Sequence, residues 1–98
     1  MSFYVYILCC ADGSYYVGHT DDLERRLAAH QSGEISGYTS SRRPVKLVFC
    51  DALSSREDAF LCERQIKGWS RRKKQALIRR DWDGLKRLSR AHGSTSSP

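Results

Sequence analysis

The chain has 98 residues and a formal charge of +6, from 17 Lys and Arg against 11 Asp and Glu. That length suits one domain with a small core and no second one, while the basic balance points to an anionic partner, nucleic acid ahead of a membrane surface. No apolar run approaches the roughly 20 residues that span a bilayer, and Phe3 to Cys10 lacks the basic flank and small-residue cleavage site of a signal peptide.

In chain order, Phe3-Tyr4-Val5-Tyr6-Ile7-Leu8-Cys9-Cys10 is β-branched and aromatic, hence a strand. Ala11-Asp12-Gly13 signals a turn, and Tyr15-Tyr16-Val17-Gly18-His19 reads as the returning strand. Two hairpin loops suit these residues. A two-residue Asp12-Gly13 loop sets Tyr6 opposite His19 and turns Tyr16 to the other face. A three-residue loop with Gly13 left-handed sets Leu8 opposite Tyr16, so that Tyr6, Tyr16 and Gly18 share a face. Turn chemistry does not choose between them; the second is the one expected here, with both tyrosines on one face.

Thr20 or Asp21 caps the first helix, with Asp21 and Glu24 at capping-box spacing. Leu23, Arg26, Leu27 and His30 recur at i, i+3, i+4, i+7 and mark one helix face. A polar stretch from Gly33 to Arg43, closed by Pro44, precedes a third strand, Val45 to Cys50. Ser54 to Glu57 forms another capping box and opens a helix to about Trp69, in which Ala59, Cys62, Glu63 and Ile66 repeat the same spacing. Arg26 and Glu63 thus fall within apolar stripes that should turn inward. Such residues are almost never fully buried unless paired, so this cation and carboxylate are expected to meet each other or share a ligand.

Ser70 caps a third helix, Arg71 to Arg80, and Trp82, Leu85 and Leu88 suggest a last short helix that closes the core. The expected organisation is one α+β domain over residues 1–90: a three-stranded antiparallel sheet flanked by helices, in the order β-β-α-β-α-α with that short C-terminal helix, then a disordered polar tail over 91–98. Cys9, Cys10, Cys50 and Cys62 form no C-x-x-C pair and no zinc spacing. They read as reduced, mostly buried thiols of a cytoplasmic protein.

Together these residues resemble the GIY-YIG nuclease superfamily. Tyr4-Val5-Tyr6 stands where that family has its first triplet and Tyr16-Val17-Gly18 where it has its second; Arg26 matches its helical arginine and Glu63 its metal-binding glutamate. The resemblance runs from about Phe3 to Leu77 and is greatest to small stand-alone bacterial members, a UPF0213-like group. Two departures stand out: Tyr4 replaces the first glycine, and the chain contains no asparagine, whereas several family nucleases use one late in the fold.

The resemblance implies an endonuclease that hydrolyses phosphodiesters, DNA more than RNA, structure-selective or weakly selective, with a role in repair or recombination. The alternative is a binding module of the same fold that cleaves little without a targeting partner. Arg26 suits phosphate oxygens, which its planar fork matches bidentately. Glu63 suits one Mg²⁺ or Mn²⁺ ion, held weakly without substrate. The resemblance gives Tyr16 the water proton, assisted by Tyr6, with His19 and His30 as competing bases that titrate nearer neutrality. Arg42, Arg43 and Lys46, with the run Arg71-Arg72-Lys73-Lys74, are the expected phosphate-backbone contacts. A monomer is expected, with no membrane partner.

Overall fold

A computed structural model describes residues 2–35 and 37–96, with side-chain environments through residue 89. Its elements are β1 (Phe3–Cys9), β2 (Tyr15–Thr20), α1 (Leu23–Ser32), β3 (Lys46–Leu53), α2 (Arg56–Lys67), α3 (Arg71–Ile78) and α4 (Trp82–Ser96). They fall into two compact units, Met1–Lys67 and Gly68–Pro98. The fold is α+β, with one antiparallel sheet in the order β2-β1-β3.

β1 is central and hydrophobic on both faces, so Val5, Tyr6, Ile7 and Leu8 are all buried. Side chains alternate along a strand. Tyr6, Leu8 and Cys10 cluster with Val45, and Leu23 and Leu27 of α1 pack against them. Val5 and Ile7 point the other way, the way His19 points from β2, toward α2 with its buried Ala59 and Ile66. One helix thus covers each face, and β2 is left as an edge.

The hairpin takes the three-residue loop. Cys10 N–H donates to Ser14 O at 2.8 Å, Gly13 N–H to Cys10 O at 2.9 Å, and Gly13 has φ +84°. Leu8 therefore lies opposite Tyr16 and Tyr6 opposite Gly18. Asp12 holds the turn by accepting from Ser14 N–H at 3.0 Å and from Arg42 Nε at 3.0 Å.

Caps differ from the sequence expectation by one residue. Asp22, not Thr20 or Asp21, caps α1 by accepting from Arg25 N–H at 3.1 Å, while Thr20 Oγ1 accepts from Asp22 N–H at 3.1 Å. Ser55, not Ser54, accepts from Asp58 N–H at the start of α2, at 3.0 Å. In both cases adjacent residues carry capping chemistry, and the later one makes the bond. Gly33 ends α1 in the left-handed region at φ +82°.

In the second unit, Ser70 caps α3 as expected, accepting from Lys73 N–H at 3.2 Å. α3 packs on α4 through buried Ala76 and Leu77. α3 ends at Ile78 rather than Arg80, because Arg80 turns left-handed at φ 56°. Trp82, expected within the core, is half exposed. α4 is longer than the short helix expected and runs to Ser96, so the boundary expected at residue 91 lies inside it; residues 97 and 98 are outside the described residues. Of the four free cysteines only Cys10 is buried; Cys9, Cys50 and Cys62 are partly exposed. Among the described residues no helix is long and apolar enough to cross a membrane.

Candidate active site at the edge strand

A cleft of about 250 Å³ opens at β2, lined by Tyr6, Tyr16, Gly18, His19, Thr20, Asp21, Arg26, Arg56 and Glu63. Because β2 is an edge, residues from both faces reach it: Tyr16 and Gly18 from the α1 side, His19 from the α2 side. The three-residue loop makes this convergence possible. A one-residue slip would have sent Tyr16 to the other face.

Gly18 is required by close approach. A Cβ there would lie 2.5 Å from Tyr6 Oη and 2.7 Å from its ring carbon Cζ. The Tyr6 ring therefore crosses the strand directly above position 18. Its hydroxyl shares a 3.0 Å hydrogen bond with His30 Nε2, and His30 Nδ1 shares one of 2.8 Å with Thr39 Oγ1. All three residues are about 1% exposed. Burial, with Tyr16 second, pushes the Tyr6 phenol far above its ordinary value, although Arg26 opposes this. Burial, with Arg26 second, pushes His30 below its ordinary value. Both groups are thus held neutral at physiological pH, as expected for polar groups removed from water but fully hydrogen-bonded.

Glu63 meets the expectation of an inward carboxylate: its side chain is 12% exposed. Its partners are His19 Nδ1 on Oε1 at 2.5 Å and Lys67 Nζ on Oε2 at 2.7 Å. Burial alone would raise its pKa. The hydrogen bonds from His19 and Lys67, and the charge they carry, outweigh burial and leave it below the ordinary carboxylate value.

Arg26 does not meet the expectation. It is exposed, whereas Leu23, Leu27 and His30 of the same stripe turn inward. Position 26 lies at the margin of that stripe, so the aliphatic stem follows the helix and the guanidinium reaches the cleft. Arg26 and Glu63 line the same cleft without forming an ion pair with each other among the described contacts. A larger groove continues from it along α1, lined by Thr20, Asp21, Asp22, Arg25, Arg26, Ala29 and Ile35.

The other basic candidates are distributed differently. Arg42 donates from Nε to Asp12 and from Nη1 to Tyr38 O at 2.8 Å. Arg43 folds over Gly33 and donates to Ser40 O at 3.0 Å and Gln31 O at 3.3 Å. Lys46 is exposed at the start of β3. Arg71, Arg72, Lys73 and Lys74 open α3 in the second unit, with Lys73 Nζ 4.3 Å from the Trp69 ring centroid. His30 lies beneath the cleft rather than in its wall.

Sequence reasoning missed Asp21 and Arg56, which pair at 3.0 Å and line the cleft. Arg56 stood out only as the start of a helix, and nothing in its spacing shows that α2 begins beside β2. Thr39 was missed because its loop carries no periodicity.

Among the described residues no three His, Cys, Asp or Glu side chains gather into a metal site. The donor set fits an ion of modest demand. A carboxylate has about four lone-pair directions, and Glu63 has one recorded partner on each oxygen in an open cleft. Magnesium commonly binds one or two carboxylates and keeps several waters.

The edge-strand cleft thus brings two tyrosines, an arginine of α1 and a glutamate of α2 to one place on a small α+β domain. Residues 2–76 match the GIY-YIG catalytic domain, and the chain belongs to that nuclease family. Among its relatives, a UPF0213 protein of Streptococcus pneumoniae is 42% identical over 80 residues, 82% of this chain and 81% of the relative. The solution NMR structure of the UPF0213 protein BH0048 from Bacillus halodurans is 47% identical, covers 80% of this chain and 83% of its own, and has a TM-score of 0.52. That of protein EF2693 from E. faecalis is 37% identical, covers 81% and 84%, and has a TM-score of 0.57.

Proposed function

We propose that this protein is a metal-assisted endonuclease that hydrolyses phosphodiester bonds in nucleic acid, DNA ahead of RNA, with a structural rather than a sequence preference and a role in repair or recombination. The observation that carries this reading is the meeting of Tyr6, Tyr16, Arg26 and Glu63 in one open cleft. Arg26, exposed at the cleft, binds the non-bridging phosphate oxygens and stabilises the charge that develops on them. Glu63 would hold one Mg²⁺ or Mn²⁺ ion, which supplies positive charge at the phosphate or leaving oxygen.

Water attack forms the new P–O bond, the ester P–O bond breaks, and one proton must leave the water while the departing oxygen gains one. Tyr16 is the acceptor on this reading, because burial keeps Tyr6 protonated and limits it to hydrogen bonding. The His19–Glu63 contact supports a second assignment of the base. With Nδ1–H donated to the carboxylate, His19 would offer Nε2 to the water. Tyr16→Phe and His19→Ala separate the two: the base is the residue whose loss removes the alkaline-rising limb of the pH–rate profile.

The test of function is a substrate panel. Purified protein is incubated with labelled duplex, flapped, branched and single-stranded DNA and with RNA, with and without Mn²⁺. Metal-dependent products that vanish in Arg26→Ala support the reading. Binding without cleavage on every substrate replaces it with the binding-module alternative. Affinity should fall steeply with salt, and charge reversal in Arg71-Arg72-Lys73-Lys74 should weaken all sequences about equally.

A further inference from the structure

Two exposed aromatic rings flank the cleft, one on each side of β2, and each carries an arginine four residues later. On the α1 side Tyr38 stacks on the cleft residue Tyr16, with centroids 6.2 Å apart and planes 24° from parallel. The Arg42 guanidinium carbon lies 3.9 Å from the Tyr38 ring centroid. It is fixed by its bonds to Asp12 and to the Tyr38 carbonyl. On the α2 side Phe60 meets the cleft residue His19 edge to face, at 5.7 Å between centroids. The Arg64 guanidinium carbon is 5.7 Å from the Phe60 centroid. Tyr38 and Phe60 are each 42% exposed.

A single exposed aromatic needs no explanation. Here two touch residues that line the same cleft, on opposite sides, and both are paired with guanidinium. A cation beside a ring repels basic partners and suits a polyanion that also has π-faces. We propose that Tyr38–Arg42 and Phe60–Arg64 are stacking platforms for unpaired nucleotide bases on the two sides of the phosphate in the cleft. The inference deepens the nuclease reading and rests on it for the identity of the ligand: the substrate is single-stranded at the site of attack. In a duplex the bases are stacked on one another and turned inward, so they cannot lie on two platforms at opposite sides of a strand. A cationic groove interleaved with aromatic rings is the general solution for single strands, and it tolerates any sequence because every base has a π-face.

The test is equilibrium binding by fluorescence anisotropy, in chelator so that nothing is cut. The probes are a short labelled DNA single strand, the RNA of the same sequence, and the blunt DNA duplex. The proteins are wild type, Tyr38→Ala, Phe60→Ala, and the ring-preserving Tyr38→Phe and Phe60→Trp. Wild type should favour the single strands; each alanine variant should lose about tenfold in single-strand affinity with little change on duplex, and the ring-preserving variants should stay near wild type. The better-bound of DNA and RNA identifies the source of the bases. If an alanine variant fails to melt cooperatively, Tyr38→Leu and Phe60→Leu, which keep apolar bulk without a π-face, replace it. Equal losses on single strand and duplex, no loss, or a wild type that prefers duplex would each overturn the proposal. Ring-dependent binding without cleavage of any substrate would leave the platforms standing and remove the nuclease reading. Ring-independent binding with metal-dependent cleavage would do the reverse.

Discussion

On the α1 side of β2 the polar groups form a closed chain: Tyr6, His30 and Thr39 are almost wholly buried, neutral and bonded to one another. On the α2 side they form an ionic cluster: Glu63 is nearly buried, but His19 is 23% and Lys67 50% exposed. The first arrangement fixes a position, since a buried neutral network has one satisfied geometry and a high cost for any other. The second holds charge where solvent and ligands can exchange with its partners. On the proposed reading, the cleft would draw its precision from one side and its reactivity from the other.

The comparison breaks most visibly through activity. Arg26→Ala and Glu63→Ala should each lower cleavage by about a hundred- to a thousandfold, the loss seen when a preorganised charge stabiliser is removed. Arg26→Ala should melt close to wild type, because Arg26 is exposed, and Glu63→Ala should lose only the modest stability that its His19 and Lys67 contacts supply. Excess Mn²⁺ should partly restore Glu63→Ala and leave Arg26→Ala unchanged. Two variants that melt far below wild type would show instead that the charged side is structural.

The buried side should answer the opposite way. Tyr6→Phe removes the partner of His30 Nε2 and should cost about 1–3 kcal/mol, the penalty of an unsatisfied buried group. Gly18→Ala should cost a similar amount, about 1–3 kcal/mol, by forcing the Tyr6 ring off its seat. Denaturant titrations measure both. Losses below about 0.5 kcal/mol would mean that the network is looser than its geometry.

Acid separates the two sides by pH window. His30 is lowered from 6.5 in the fold, so the unfolded chain takes that proton first. Stability therefore falls as pH drops below about 6.5 and levels only below the folded value. Glu63 is lowered from 4.5, so its contribution is full above that value and is lost as pH falls through its folded value. Melts across the acid range should show two successive declines, the first missing in His30→Gln and the second in Glu63→Gln. A single decline common to all three proteins would dissolve the distinction.

The smallest effect belongs to Lys67→Ala. Its pair with Glu63 spans one helical turn and is half exposed, so the stability change should be about 0.3–0.5 kcal/mol, at the limit of a denaturant titration. A change above about 1 kcal/mol would place Lys67 with the structural groups.

Much of this was legible in the residues. Both hairpin strands, the helix order and the inward turn of Glu63 follow from periodicity and turn chemistry, and the loop that aligns Tyr6 with Tyr16 was one of two that Ala11-Asp12-Gly13 allows. Other features depend on tertiary packing that no local pattern encodes. Arg26 sits at the margin of its stripe, where a long stem can be counted as inward while its charge is outside. His19 meets Glu63 across 44 positions, and His30 meets a threonine from an aperiodic loop. The two-unit division is equally silent in the sequence, since the family match itself crosses from the first unit into the second.

The place of β2 at the margin of the sheet has a consequence for heat inactivation. Tyr16, Gly18 and His19 all ride on a strand that is hydrogen-bonded to one neighbour only. Outer strands open locally at lower free energy than central ones, and opening β2 would scatter the cleft without breaking the β1–β3 ladder. Catalytic competence should therefore fade before the cooperative melt begins. Amide hydrogen exchange should be faster along Tyr15–Thr20 than along Phe3–Cys9, and a bound substrate, by bridging both sides of the strand, should narrow that difference.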